Sequence, residues 1–236
     1  MRRKGIEAMA GRRFDALFID FYGTVADGDR QAVEDTCARV VADLRLGVSA
    51  QELAVIWGKR FFEEIEVANH DRFLNLYDCE CKTLVDTLRP WVGPIDPAPY
   101  CLMLKRYWAS APLHAESLDA LAQVDVPVCC VSNADTDDIL AAVQMRGLRF
   151  DRVVTSEDVR CYKPDPKIFE TALSQMAVRP ERVLHVGDSL HSDVGGASRA
   201  GIATAWVCRQ DRIFDAGNST PDHNIRSLME LHDILG

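Results

Sequence analysis

Five short apolar runs constrain this chain most: Phe14–Asp20 (FDALFID), Val126–Val131, Phe150–Val154, Arg182–Val186 and Ala203–Val207. Their apolar residues are continuous rather than alternating, the pattern of strands buried on both faces of a parallel sheet. Helix-like segments near 135–147, 165–177 and 191–200 separate the last four. Strand, helix and strand in that rhythm specify βαβ units, and so an α/β fold: a three-layer, Rossmann-like parallel sheet core. Polar residues follow the strand ends at Asp20, Ser132 and Asp188. In open α/β sheets the ligand crevice lies at the carboxyl ends of the strands, which predicts that these three converge.

The rhythm breaks once. A simple crossover takes about 30 residues, yet more than a hundred separate Asp20 from Ser132. The intervening stretch reads as helix. Ser49 and Glu52 form a capping box, and Phe61, Phe62 and Ile65 repeat at helical spacing, as do Phe73, Leu74, Tyr77, Leu84 and Leu88. The aromatic stripe of Phe61, Phe62 and Phe73 reads as the insertion's own core, and His70-Asp71-Arg72 as a capped helix start. The expected organisation is a discontinuous core over 14–27 and 109–236, a helical cap over 28–108 placed as a lid, and a flexible basic arm over 1–13.

Composition narrows the partners. Lys plus Arg total 27 against 36 Asp plus Glu, a net charge of −9, which argues against nucleic acid. No apolar run approaches the roughly 20 residues of a membrane span, and the arm lacks the apolar segment of a secretory signal. The eight cysteines show no CxxC pair, and reduced, mostly buried thiols in a cytoplasmic protein account for them. The oligomeric state is open between monomer and homodimer.

Four short motifs carry the chemistry: Asp20-Phe21-Tyr22-Gly23-Thr24, Ser132-Asn133, Lys163-Pro164-Asp165-Pro166, and Gly187-Asp188-Ser189 with Asp193 shortly after. A carboxylate at a strand end can attack phosphorus or carbon and form an intermediate that water resolves. Asp20 and Asp188 brought together repel, which a hard cation such as Mg²⁺ relieves. Lys163 supplies a positive charge able to keep Asp20 ionised and to stabilise a transition state. Ser132 and Thr24 offer hydroxyls, Asn133 offers turn chemistry or a substrate contact, and Gly23 allows close backbone approach. His185, inside a strand, reads as a buried, satisfied residue.

In order and in context, these motifs resemble the haloacid dehalogenase superfamily of hydrolases, in the subgroup with a helical cap after the first motif. The resemblance spans Phe14 to about Val207. It implies that Asp20 is the nucleophile and a metal ligand. The Tyr22 backbone carbonyl, Asp188 and Asp193 would complete a Mg²⁺ site, Ser132 would bind the transferring group, and Lys163 would bridge it to Asp20. One position departs from the phosphatases of that superfamily, which carry a second, acid–base Asp where this chain has Tyr22. A phenol with a pKa near 10 is a poor base at neutral pH. The Asp-x-Tyr-Gly-Thr form is similar instead to the 2-haloacid dehalogenases, which expel halide without a proton donor and use no metal, but which lack an acid at the position of Asp188. Retention of Asp188 makes the leading expectation a Mg²⁺-dependent phosphomonoesterase acting on a small phosphorylated substrate. The alternatives are a metal-independent dehalogenase working through an aspartyl ester and a phosphate binder that has lost turnover.

Overall fold

The computed structural model describes residues 13–209 and 219–236, so all but the last residue of the basic arm lies outside the described residues. Six strands form one parallel sheet in the order β3-β2-β1-β4-β5-β6. They are β1 (Ala16–Ile19), β2 (Val128–Ser132), β3 (Arg152–Thr155), β4 (Val183–Gly187), β5 (Ala203–Val207) and β6 (His223–Ile225). The first five sit within two residues of the apolar runs. β6 was not anticipated: its three residues, paired with β5 through Val207 and Ile225, are too few and too polar to stand out.

Strand β1 lies between β2 and β4, with Leu17 level with Val128 on one side and Leu184 on the other. Chain order runs outward in both directions from this point, which is where a parallel sheet opens its crevice. Successive strand residues face opposite sides. Leu17 and Ile19 pack with α5 (Ser117–Ala122), α6 (Thr136–Met145) and α10 (Leu231–Leu235). Ala16 and Phe18 pack with α7 (Ser156–Val159), α8 (Pro166–Met176) and α9 (Gly196–Arg199). Helix layers therefore cover both faces, as the unbroken apolar runs require.

Between β1 and β2 lie four longer helices: α1 (Asp29–Leu44), α2 (Ala50–Val67), α3 (Leu76–Leu88) and α4 (Ala98–Trp108). They bury a cluster of their own, including Cys37, Leu53, Trp57, Leu84, Leu88 and Leu104. The capping box forms: Ser49 Oγ accepts from Glu52 N–H while the Glu52 carboxylate accepts from Ser49 N–H at 2.8 Å. Two details differ from the periodicity. Phe73 and Leu74 precede α3, because the chain makes a single 3₁₀ turn at His70–Arg72 rather than starting a helix there. Phe62 is 45% exposed and does not share the insertion core.

The two strands of chain that join insertion and sheet run side by side. Asp27 N–H donates to Pro112 O at 2.9 Å and His114 N–H to Val25 O at 3.1 Å. All eight cysteines are free, and no described helix is long and apolar enough to cross a membrane.

Candidate active site

Asp20 leaves the end of β1 with its backbone N–H on Val186 O at 2.9 Å, tying the loop to β4 before it turns. Gly23 has φ +85, a left-handed conformation that costs glycine little, and its N–H reaches Ala26 O at 2.8 Å to close the turn. The buried Thr24 Oγ1 donates to Asp188 Oδ1 at 3.4 Å, so the first loop and the end of β4 share a hydrogen bond.

Lys163 holds the site together. It is 2% exposed, and its three ammonium hydrogens have three acceptors: Asp20 Oδ1 at 2.6 Å, Asp193 Oδ1 at 2.7 Å and Val131 O at 3.0 Å. Asn133 fixes the lysine's backbone from both sides, its Oδ1 accepting from Lys163 N–H at 2.7 Å and its Nδ2 donating to Lys163 O at 3.1 Å. Ser132 Oγ donates to Asp20 Oδ1 at 3.4 Å. Both donors reach the same oxygen, and among the described residues Asp20 Oδ2 has no hydrogen bond.

The end of β4 explains how Asp193 comes so close. Residues Leu190–Gly195 make a π-helical turn, and Asp193 folds back over Gly187. A Cβ on Gly187 would sit 2.1 Å from Asp193 Cγ, so only glycine leaves room. Asp193 Oδ2 accepts from Ser189 N–H at 3.1 Å, and Oδ1 also meets His185 Nε2 at 3.0 Å. His185 is fully buried as expected but only half satisfied, because its Nδ1 has no hydrogen-bond partner among the described residues.

The electrostatics follow from burial and pairing. Burial pushes Asp20 up from the usual carboxylate range, against the pull of Lys163. Burial acts on Asp193 in the same direction, but Lys163 and His185 outweigh it and hold that carboxyl well below its usual range. For Lys163, burial favours the neutral amine, yet Asp193 and Asp20 keep it firmly charged. Oxygens of Asp20, Asp188 and Asp193 lie within 4.8 Å of one another, a donor set of the kind an oxygen-seeking cation accepts. Two of the three carboxylates already direct an oxygen at the ammonium.

Every residue of the four sequence motifs given a chemical role, except Tyr22, has its side chain, or for Gly23 its turn, in this strand-end cluster. The Tyr22 hydroxyl donates to the Trp108 carbonyl at 2.9 Å, and its ring meets Trp108 edge-on at 4.9 Å. Burial drives the phenol well above its ordinary value, so it is no base at neutral pH. Asp135 went unnoticed. By position it caps α6, but its carboxylate makes no bond there and instead accepts from Leu76 and Tyr77 N–H at 2.6 and 3.1 Å, capping α3 from across the fold. No local pattern signals a cap for a helix some sixty residues away.

Comparison with known proteins places this geometry. Residues 14–201 match the haloacid dehalogenase-like hydrolase family. The chain belongs to that family. An (S)-2-haloacid dehalogenase, 4A, of Burkholderia cepacia is 26% identical over 228 residues, covering 93% of this chain and 94% of the relative. The solved L-2-haloacid dehalogenase of Xanthobacter autotrophicus superposes with a TM-score of 0.78 at 20% identity, covering 94% of this chain and 98% of that one, a likeness of fold. A glyceraldehyde 3-phosphate phosphatase of Methanopyrus kandleri is 39% identical, but over 89 residues, 36% of this chain and 38% of its own.

Two expectations for this haloacid dehalogenase-like hydrolase are thereby corrected. The phosphomonoesterase reading gives way, because relatives matched over nearly the whole chain are 2-haloacid dehalogenases and the phosphatase match is partial. The Mg²⁺ expectation falls with it, since the resemblance implies no metal for such enzymes. Physically, Lys163 meets the charges of Asp20 and Asp193, so two of the three carboxylates already have a cation supplied by the protein itself.

Proposed function

We propose that the chain is a metal-independent hydrolase of 2-haloacids that works through an ester on Asp20. The observation that carries the reading is the near full-length similarity to (S)-2-haloacid dehalogenases. The site supports it chemically. Asp20 Oδ1 is pinned by Lys163 and Ser132, which leaves Oδ2 to attack C2 of the substrate. The new O–C bond forms as the carbon–halogen bond breaks, and halide departs with the electron pair. That leaving group takes no proton, which suits a site whose Tyr22 hydroxyl is already committed to Trp108.

In the second half, water attacks Cγ of the Asp20 ester. Lys163 stabilises the developing oxyanion, and deprotonation of the water falls to Asp188 or Asp193 beside it. The Cγ–O bond to the substrate then breaks, and the departing alkoxide takes up the proton removed from the water. Asp20 is regenerated as the carboxylate, and the product is a 2-hydroxyacid inverted at C2.

The test is halide release from 2-chloropropionate, with an aryl phosphate assayed in parallel. The expected result is chloride and lactate at a rate that EDTA does not change, with no phosphate released. Phosphate release lost on adding EDTA, without any halide release, would overturn the reading.

A further inference from the structure

Glu80, in α3, is a buried acid that the chemistry at Asp20 does not use. It is 3% exposed, and its Oε1 accepts the indole N–H of Trp108 at 2.7 Å. Its Oε2 is buried without a hydrogen-bond partner among the described residues. Trp108, the last residue of α4, then reaches the nucleophile loop in two ways. Its carbonyl accepts the Tyr22 hydroxyl, and its ring packs edge-on against the Tyr22 ring. Tyr22 lies two residues beyond Asp20, and its ring also meets that of Phe21 edge-on at 5.0 Å. A continuous series of contacts thus runs from Glu80 in the insertion to the loop bearing Asp20.

We infer that Glu80 is a positioning residue for the displacement at Asp20, fixing Trp108 so that Trp108 holds Tyr22 and the nucleophile loop in place. The inference rests on the proposed dehalogenase reading for its rate effects, but not for the contact itself. Burial and the nearby acids make charge on Glu80 costly, against the Trp108 N–H and Lys105, which favour it. Asp135 and Asp138 face it from the sheet side, Cys81 and Cys101 lie on α3 and α4, Tyr162 approaches from the loop before Lys163, and Lys105 supplies a positive charge. Burial, with the two aspartates adding to it, pushes the Glu80 carboxyl up to about 8. The group is therefore mostly a neutral acceptor at physiological pH. Its ionisation would add a buried anion to the field of Asp135 and Asp138, met by the Trp108 N–H and Lys105 alone among the groups that act on it most strongly.

The experiment compares Glu80→Ala and Glu80→Gln with the native chain, using halide release across pH 6–10 and the ¹⁵N-indole resonances. The Trp108 signal is assigned by its loss in Trp108→Phe. Glu80→Ala should move the Trp108 indole signal and lower kcat by about tenfold or more, with KM changed less. Glu80→Gln, which keeps the accepting oxygen without the charge, should restore most of kcat. It should also remove the decline in rate that the native chain shows above about pH 8.

An unmoved Trp108 signal in Glu80→Ala overturns the inference. So does a Glu80→Gln variant as slow as Glu80→Ala, or one that keeps the native high-pH decline. A native chain that releases no halide refutes the dehalogenase reading instead. In that case the contact is decided by whether Glu80→Ala shifts both the Trp108 indole and the ring signals of Tyr22.

Discussion

The strand-end cluster and the seam between sheet and insertion are built from the same kinds of groups, yet they solve different problems. In the cluster, acids are brought together and their charge is met: Lys163 sits 2.6 Å from Asp20 and 2.7 Å from Asp193, with every ammonium hydrogen accepted. At the seam, acids are buried with far less compensation. Among the described residues Glu80 keeps one oxygen without a hydrogen bond, and Asp135 answers backbone N–H groups of α3 rather than a side-chain cation. Charge neutralisation organises the chemistry. Hydrogen-bond satisfaction holds the insertion against it.

Substitutions on the two sides should therefore differ in kind as well as size. Lys163→Met should have the largest effect, because it leaves two buried carboxylates facing each other. The rate should fall by about 10³-fold or more, and stability by roughly 3–5 kcal/mol, the range for removing one partner of a buried ion pair. Halide release and urea unfolding measure the two losses, and a variant stable to within about 1 kcal/mol of the native chain would show that Lys163 is not the cluster's main compensation.

Gly187→Ala should come next. Its new Cβ meets Asp193 Cγ at 2.1 Å, so Asp193 must move away from Lys163. The expected cost is about 1–3 kcal/mol of stability, together with about 10–100-fold in rate. A crystal structure in which Asp193 has not shifted would contradict this account of the π-helical turn.

Asp135→Ala tests the seam and should be the mildest. Two N–H groups at the start of α3 lose their acceptor, for about 1–2 kcal/mol in urea unfolding. Hydrogen exchange should quicken at Leu76 and Tyr77 while the amides of β1 stay protected, and equal acceleration in both places would dissolve the distinction between the regions.

The same division decides what could be read from the chain. Asp20, Ser132 and Asp188 were legible because each ends or follows a short apolar run, and strand ends of a parallel sheet converge by topology alone, while Lys163 was legible from the Lys-Pro-Asp-Pro motif before a helix. Asp193 was legible as a motif member, but not the π-helical turn that folds it onto Gly187. Asp135 and Glu80 carry no such signal. Their partners, Leu76 and Trp108, lie 59 and 28 residues away across a packing surface that periodicity does not locate. Asp188 misled in another way: residue types suggest where charge gathers, but not which neighbours neutralise it.

The central claim is that Asp20 carries the substrate as an ester whose own carbonyl carbon is hydrolysed. A single turnover of 2-chloropropionate in H₂¹⁸O, with enzyme in excess, separates the possibilities. The account predicts ¹⁸O in the peptide containing Asp20 and unlabelled lactate. Labelled lactate with no label at Asp20 would mean that water attacks the substrate directly, and would contradict it.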